Sequence, residues 1–293
     1  MFEENRTLVL DGGLGTHLAA RGNDISGELW SAAILNEHPD EVRAAHEDFF
    51  NAGAQVATTC SYQVTFDGFA QIGMGNGDIE KLLRKSVKLA REATGGLDGR
   101  YVAASVGPYG AGPGAGTEYD GAYGIGVNQL AQWHRPRMEI LADSGADVLL
   151  METVPNIYEV EALAAEISRL NIDGWLSVTL NGTTLGDGTR LDEVLNIVND
   201  TPAIKALSIN CCSAGEALSA AEVFAQGTDK AFGVYPNSGE TWDHVNRKWL
   251  SRDEGSVGLV EAVPQLLDLG VSFIGGCCRV TPREIEAIVK QVS

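Results

Sequence analysis

Four of the five cysteines stand in two adjacent pairs, Cys211-Cys212 and Cys277-Cys278, with Cys60 alone. Each pair follows a short apolar run and so falls where a strand would end. Buried apolar thiols are one reading of such residues, since a free cysteine packs as a small hydrophobe. A disulfide between the pairs is a second, and zinc is a third. Three thiolates gathered from two strand ends would leave a fourth position open, as catalytic zinc sites do. The spacing is not that of a C-x-x-C ribbon, so the residues alone leave these readings open.

Other groups could work beside the thiols. The segment DGGLGT (11–16) is no dinucleotide fingerprint, because Leu18 stands where the third glycine counted from Gly13 is needed. Its glycines suit a tight turn, or backbone N–H groups brought close to a small anion such as a carboxylate. Glu152 ends an apolar run, where it could pair with a substrate ammonium or cap the next helix; with Asp11 it could also serve as acid and base. The five histidines show no H-E-x-x-H spacing, and His134, in WHRPR, reads as structural. No run ends in a lysine placed for Schiff-base chemistry, Lys205 lying near the start of its own. Residues 107–126 carry eight glycines in twenty positions. They predict a surface loop, or a mobile lid presenting Tyr109, Tyr119 and Tyr123.

The elements that must position these groups follow a strand-then-helix rhythm. Apolar, β-branched runs fall at 7–13, 54–62, 101–107, 146–153, 175–180, 203–210, 231–236 and 271–276. They are near-continuously apolar, as strands buried on both faces are. Helical patterns lie between them, among others at 39–53, 78–93, 157–170 and 281–292, with Pro39, Asp78 and Thr281-Pro282 as capping and first-turn residues. Eight such units predict a closed (β/α)₈ TIM-type barrel, with a doubly wound open sheet as the alternative. The length of 293 residues suits one barrel, and no linker divides it, so a single domain over 1–293 is expected. Chemistry in a barrel belongs at the C-terminal strand ends. Asp11-Gly12-Gly13, Glu152, Asn210-Cys211, Tyr235-Pro236-Asn237 and Cys277-Cys278 all fall there.

With 21 basic and 40 acidic residues the net charge is −19, which repels phosphate backbones and anionic membranes. Neither nucleic acid nor a membrane is expected as a partner. No apolar stretch approaches the ~18 residues of a span, and the N-terminus is acidic where a signal peptide is basic. The reducing cytoplasm is the expected compartment, which disfavours the disulfide.

The segments S-I-N-C (208–211) and G-G-C-C-R-V-T-P (275–282) resemble the signatures of the zinc-dependent homocysteine S-methyltransferases. The likeness runs along essentially the whole chain, through DGGLGT, LWSAAIL (29–35), GAQVATTCSYQVT (53–65), SVGPYGA (105–111), HRPR (134–137), ETVPN (152–156) and VYPNSGE (234–240). LWSA, SYQ, SVGPYGA and YPNSGE look like the branch that takes its methyl group from S-methylmethionine, and the length leaves no room for folate or cobalamin modules. Ser208 stands where that family usually has glycine.

The resemblance implies a (β/α)₈ barrel with Zn²⁺ held by Cys211, Cys277 and Cys278, and L-homocysteine thiolate as the remaining ligand. It places Asp11 and the backbone around Gly12, Gly13 and Thr16 at the homocysteine end, Glu152 and Asn237 at its amino group, and Asn210 beside the metal. Trp30, Tyr62 and Tyr109 become candidates for the donor surface, since aromatic faces attract cations by about 0.5–2 kcal/mol. The implied reaction moves a methyl group from a sulfonium, S-methylmethionine or S-adenosylmethionine, to homocysteine and yields methionine. The rivals are a non-catalytic zinc- or thiol-binding barrel and a metal-free acid/base enzyme built on Asp11 and Glu152.

Overall fold

The computed structural model describes every residue except 3–5, 26–29, 113–115, 244–247, 251–255 and 293, with backbone alone at 30, 241–243 and 248–250. Eight parallel strands form one sheet: β1 (Leu8–Val9), β2 (Val56–Thr58), β3 (Tyr101–Val106), β4 (Val148–Val154), β5 (Gly174–Val178), β6 (Ile204–Asn210), β7 (Ala231–Tyr235) and β10 (Phe273–Ile274). A small antiparallel ribbon, β8 (Thr241–Asp243) with β9 (Lys248–Leu250), is inserted between β7 and β10. The sheet runs β1-β10-β7-β6-β5-β4-β3-β2, and a parallel bridge between Leu10 and Val56 joins its two ends. Gln55 N donates to Val9 O at 2.7 Å and Asp11 N to Val56 O at 3.0 Å across that seam. The sheet is therefore a closed (β/α)₈ barrel and not a doubly wound sheet.

Side chains alternate across each strand. Leu8, Leu10, Val56, Ala103, Val148, Leu150, Trp175, Ala206, Tyr235 and Phe273 fill the barrel, while their neighbours in sequence pack outward under the helices. Phe2 plugs the lower end, its ring stacked 5.1 Å from Trp175 and 5.8 Å from Phe273. Carried one step toward the upper end, the same alternation turns Thr58, Ser105, Glu152, Ser177 and Asn210 inward. The barrel's upper layer is thus polar by register.

The strands β1 and β10 are shorter than their apolar runs. At Gly275 a Cβ would lie 2.5 Å from Leu10 Cβ, and at Gly276 one would lie 2.2 Å from Val280 Cγ1. Only glycine lets these two chain segments pass so closely, and both leave the ladder early to build the upper rim.

The helices follow the expected capping chemistry. Pro39 opens Pro39–Asn51 with Asp40 and Glu41 in its first turn, where the helix dipole favours acids. The helix predicted at 78–93 is Asn76–Ala93, whose inner face carries Ile79, Leu82, Leu83, Val87 and Ala90 at helical spacing. Ile157–Ile167 is capped by Asn156, whose Oδ1 accepts from Glu159 N at 2.9 Å, so Glu152 is not needed as a cap. His134 is fully buried, with Nε2 2.7 Å from Glu159 Oε1 and Nδ1 2.9 Å from the Arg137 guanidinium. Among the described residues no helix is long and apolar enough to cross a membrane.

Candidate metal and substrate site

The thiols converge because two strands end in sharp turns. After Asn210 the chain reverses at Cys211 (φ 53°), and after Cys278 it reverses at Arg279 (φ 65°). Cys277 N donates to Pro236 O at 2.8 Å, Cys278 N to Asn237 Oδ1 at 3.1 Å, and Arg279 N to Thr16 Oγ1 at 2.9 Å. These bonds bring the sulfurs of Cys211, Cys277 and Cys278 within 4.8 Å of one another. Cys212 points the other way into the core, and Cys60 is buried with its thiol on Ser31 O at 3.3 Å. Burial pushes the Cys60 thiol up to about 12, so it is inert.

Among the described non-glycine residues only Thr153, Cys211 and Arg279 have positive φ, and all three lie on this rim. The conformation is costly for a β-branched residue such as Thr153. Asn210 holds it: Oδ1 accepts from Thr153 N at 2.9 Å and Nδ2 donates to Thr153 Oγ1 at 2.8 Å. The same Nδ2 lies 3.9 Å from Cys277 Sγ, and Ser177 Oγ donates to Oδ1 at 2.8 Å. Asn210 therefore ties the strained C-terminal end of β4 to the thiol cluster.

The donor set fits a thiophilic cation. Zinc–sulfur bonds of about 2.3 Å in a tetrahedron put sulfurs about 3.8 Å apart, a spacing the cluster reaches with little movement. Hydrogen bonds from Cys211 and Cys278 hold the Cys277 thiol well below its ordinary range, and that same contact drives Cys211 upward. The cluster therefore favours a buried thiolate, which calls for a positive partner.

Beside the thiols lies a cavity of about 140 Å³, lined among others by Asp11, Gly12, Gly13, Thr16, Tyr62 and Glu152. Asp11 Oδ2 accepts from Thr58 N at 2.8 Å; burial raises its carboxyl to about 7. Glu152 receives the hydroxyls of Ser105 and, at 3.2 Å, Tyr235; burial, aided by the charge of Cys277, raises it to about 8. Two deep acids are thus held ready for a cation.

A stability test follows from Glu152. Its folded pKa is raised from 4.5 to about 8, so its contribution is complete below 4.5 and is lost as pH rises through 8. The shift corresponds to a loss on the order of 5 kcal/mol at most. Metal-free protein is expected to melt at a lower temperature at pH 8.5 than at pH 5, and Glu152→Gln to lose less over that interval. Equal pH dependence in the two proteins would show that Glu152 is not the buried acid responsible.

The sequence-assigned residues divide in this geometry. Asp11, Gly12, Gly13, Thr16, Tyr62 and Glu152 share the cavity with the three thiols. Asn237 instead braces the rim, its N donating to Cys212 O at 2.9 Å and its Oδ1 accepting from Cys278 N. Tyr109 lies apart, its ring 5.2 Å from Tyr123 and 5.1 Å from Trp133, and its N–H on Glu159 Oε1 at 2.6 Å. The side chain of Trp30 lies outside the described residues.

Glu118 and Tyr235 reach the cavity without having been assigned a role there from sequence. Tyr235 was legible as the inward-facing end of its strand. Glu118 sits in the glycine-rich segment, where no periodicity marks it. The described part of that segment is a fitted strap: a Cβ at Gly110 would lie 2.6 Å from Glu118 Cα, and one at Gly186 would lie 2.0 Å from Tyr119 O. Asn156 Nδ2 and Glu159 Oε2 also hold it, through Gly121 O at 2.8 Å and the Tyr123 hydroxyl at 2.8 Å.

The family model described as homocysteine S-methyltransferase matches residues 8–292. The chain is 40% identical over 300 residues to the homocysteine S-methyltransferase of Escherichia coli (strain K12), covering 98% of this chain and 96% of that one. It is 39% identical over 310 residues to homocysteine S-methyltransferase 3 of Arabidopsis thaliana, covering 97% and 89%. Among solved structures it is similar to the metallated form of the homocysteine methyltransferase MmuM from Escherichia coli, with a TM-score of 0.87, 37% identity and coverage of 98% and 97%.

Proposed function

We propose, for a chain that belongs to the homocysteine S-methyltransferase family and so methylates homocysteine, that its cofactor is zinc and its methyl donor a sulfonium. Family membership sets aside the non-catalytic barrel, and the thiol cluster speaks against a metal-free acid/base enzyme. The convergence of three cysteine sulfurs within 4.8 Å, beside a cavity that ends on two buried acids, carries this reading. A metallated form of a relative supports it.

Cys211, Cys277 and Cys278 would hold the metal, and Asn210 Nδ2 donates toward Cys277 Sγ at 3.9 Å. Zinc coordination would supply a deprotonated, electron-rich homocysteine sulfur where a free thiol of pKa ≈ 8.5 is only a few per cent ionised at pH 7. Glu152 and Asp11 take the ammonium, and the backbone of Gly12, Gly13 and Thr16 faces the carboxylate. Asn237 serves the amino end through the rim that it braces.

The thiolate sulfur attacks the donor's methyl carbon in line. A sulfur–carbon bond forms on homocysteine while the donor's methyl–sulfur bond breaks, and its electron pair returns to the donor sulfur. The leaving group is then a neutral thioether that needs no proton, so no general acid is required at this step. Holding nucleophile and methyl carbon about 3–3.5 Å apart is the protein's main contribution. With S-methylmethionine as donor, both products are methionine. The reducing cytoplasm is the compartment that suits the five free thiols.

Product analysis with homocysteine and each donor tests the assignment. S-Methylmethionine is expected to give two methionines per turnover, S-adenosylmethionine slower transfer, and betaine none measurable. Betaine is a net-neutral zwitterion, whereas S-methylmethionine carries a sulfonium and an ammonium against one carboxylate, and that net positive charge suits a cavity holding Asp11, Glu118 and Glu152. Betaine turnover matching that of S-methylmethionine would overturn the donor assignment and leave the family untouched.

A further inference from the structure

Among the residues lining the cavity are Glu118 and Tyr119, carried by the strap, and Tyr62, which follows β2. The Tyr62 hydroxyl donates to Glu118 Oε1. Among the described residues Glu118 forms no ion pair, whereas the rim arginine Arg279 is engaged with Glu240 at 2.9 Å. The backbone that carries Glu118 is fixed where it is: Gly110 and Gly186 press on residues 117–120 so closely that neither position has room for a Cβ. An acid is thus held over the thiol cluster, in a cavity too small to solvate it well, with no cation of its own. Such a group is costly unless its partner arrives with a ligand.

Homocysteine cannot be that partner, because its one positive group is matched by the deep acids Glu152 and Asp11. The other substrate must bring its reacting carbon to the thiols from the mouth side, beside Glu118. We propose that Glu118 is the counter-charge for the donor's sulfonium and sets the enzyme's preference for a cationic donor; this rests on the reading above that the donor is a sulfonium. Tyr62 and Tyr119 add aromatic faces to the same subsite, and the Tyr62 hydroxyl fixes the carboxylate's orientation.

The charge argument fixes the kinetic signature. The sulfonium is fully positive in the bound ground state, and its charge drains away as the methyl leaves. A carboxylate beside it stabilises bound donor more than the transition state, so its loss falls on donor affinity and KM rather than on kcat.

Calorimetry on zinc-loaded protein whose head-group site is filled with 2-aminobutyrate, the thiol-free analogue of homocysteine, measures the subsite, using S-methylmethionine and methionine, which differ by one methyl group and one positive charge. The wild type is expected to prefer S-methylmethionine. Glu118→Gln is expected to reduce that preference by about tenfold or more, with homocysteine affinity unchanged within twofold, while Glu118→Asp recovers most of it by keeping the charge. An unchanged preference in Glu118→Gln overturns the assignment of Glu118 and leaves the sulfonium donor standing. Equal losses for S-methylmethionine, methionine and homocysteine also overturn it, since a collapsed cavity mouth would produce them. A wild type without preference for the sulfonium, and without turnover of either sulfonium donor, overturns the donor reading and the role of Glu118 with it.

Discussion

Replacing Cys277 or Cys278 with serine is expected to remove zinc and methyl transfer together. A serine hydroxyl stays protonated at neutral pH and is a poor zinc ligand, whereas the thiolate is a strong one. With only three protein sulfurs in the cluster, loss of one leaves two ligands and no reason for the metal to stay. Cys211→Ser should behave alike. Cys212→Ser is the informative control, because Cys212 is adjacent in sequence yet packs into the core. Burying its hydroxyl should cost about 1–3 kcal/mol of stability and leave zinc stoichiometry intact. Elemental analysis of purified variants, beside methionine formation from homocysteine, checks both outcomes. Full zinc with normal turnover in Cys277→Ser or Cys278→Ser would sink the metal assignment, and zinc loss confined to Cys212→Ser would move the ligand by one residue.

The contrast between Cys211 and Cys212 shows where sequence reading stops. Apolar, β-branched runs announced eight strands because a strand covered on both faces has no polar side to display. The same alternation, followed upward, reaches Glu152 and Asn210 as inward-facing residues. Which thiol of a pair faces inward depends on the turn after the strand, and a positive φ at Cys211 is not written in its neighbours. The rim is also held by contacts between residues distant in sequence, such as Arg279 N on Thr16 Oγ1.

Tyr109 and Glu118 illustrate a different limit. Both belong to a glycine-rich segment, where sequence suggests mobility and gives no period. Tyr109 came forward as an aromatic in a family-like motif, yet it packs on Trp133 and Tyr123. Glu118 drew no notice, yet it lines the cavity. The glycines explain the difference: Gly110 and Gly186 serve close backbone contact with the strap, so they mark fit rather than freedom.

Binding of homocysteine to zinc-loaded protein is expected to release one more proton than binding of 2-aminobutyrate, its thiol-free analogue. The free thiol is almost wholly protonated near pH 7, and a metal-bound sulfur is a thiolate, so its proton must leave as the complex forms. The analogue isolates that proton from those of the amino-acid head. Glu152, raised to about 8 by burial, holds a proton at pH 7 in the metal-free cavity, and an arriving ammonium favours its release. Whatever Glu152 does is common to the two ligands and cancels in the difference. Calorimetry in two buffers of different ionisation enthalpy gives the proton count for each ligand, and the same titrations give the affinities. The analogue should bind at least about a hundredfold more weakly, because it forfeits a metal–sulfur bond while keeping every contact to the head group; a hundredfold corresponds to about 2.7 kcal/mol. Should both ligands bind zinc-loaded protein equally and release equal numbers of protons, homocysteine would be held by its head alone with a protonated sulfur off the metal. Activation of the thiol by coordination would then have no support, and the three cysteines would need another purpose.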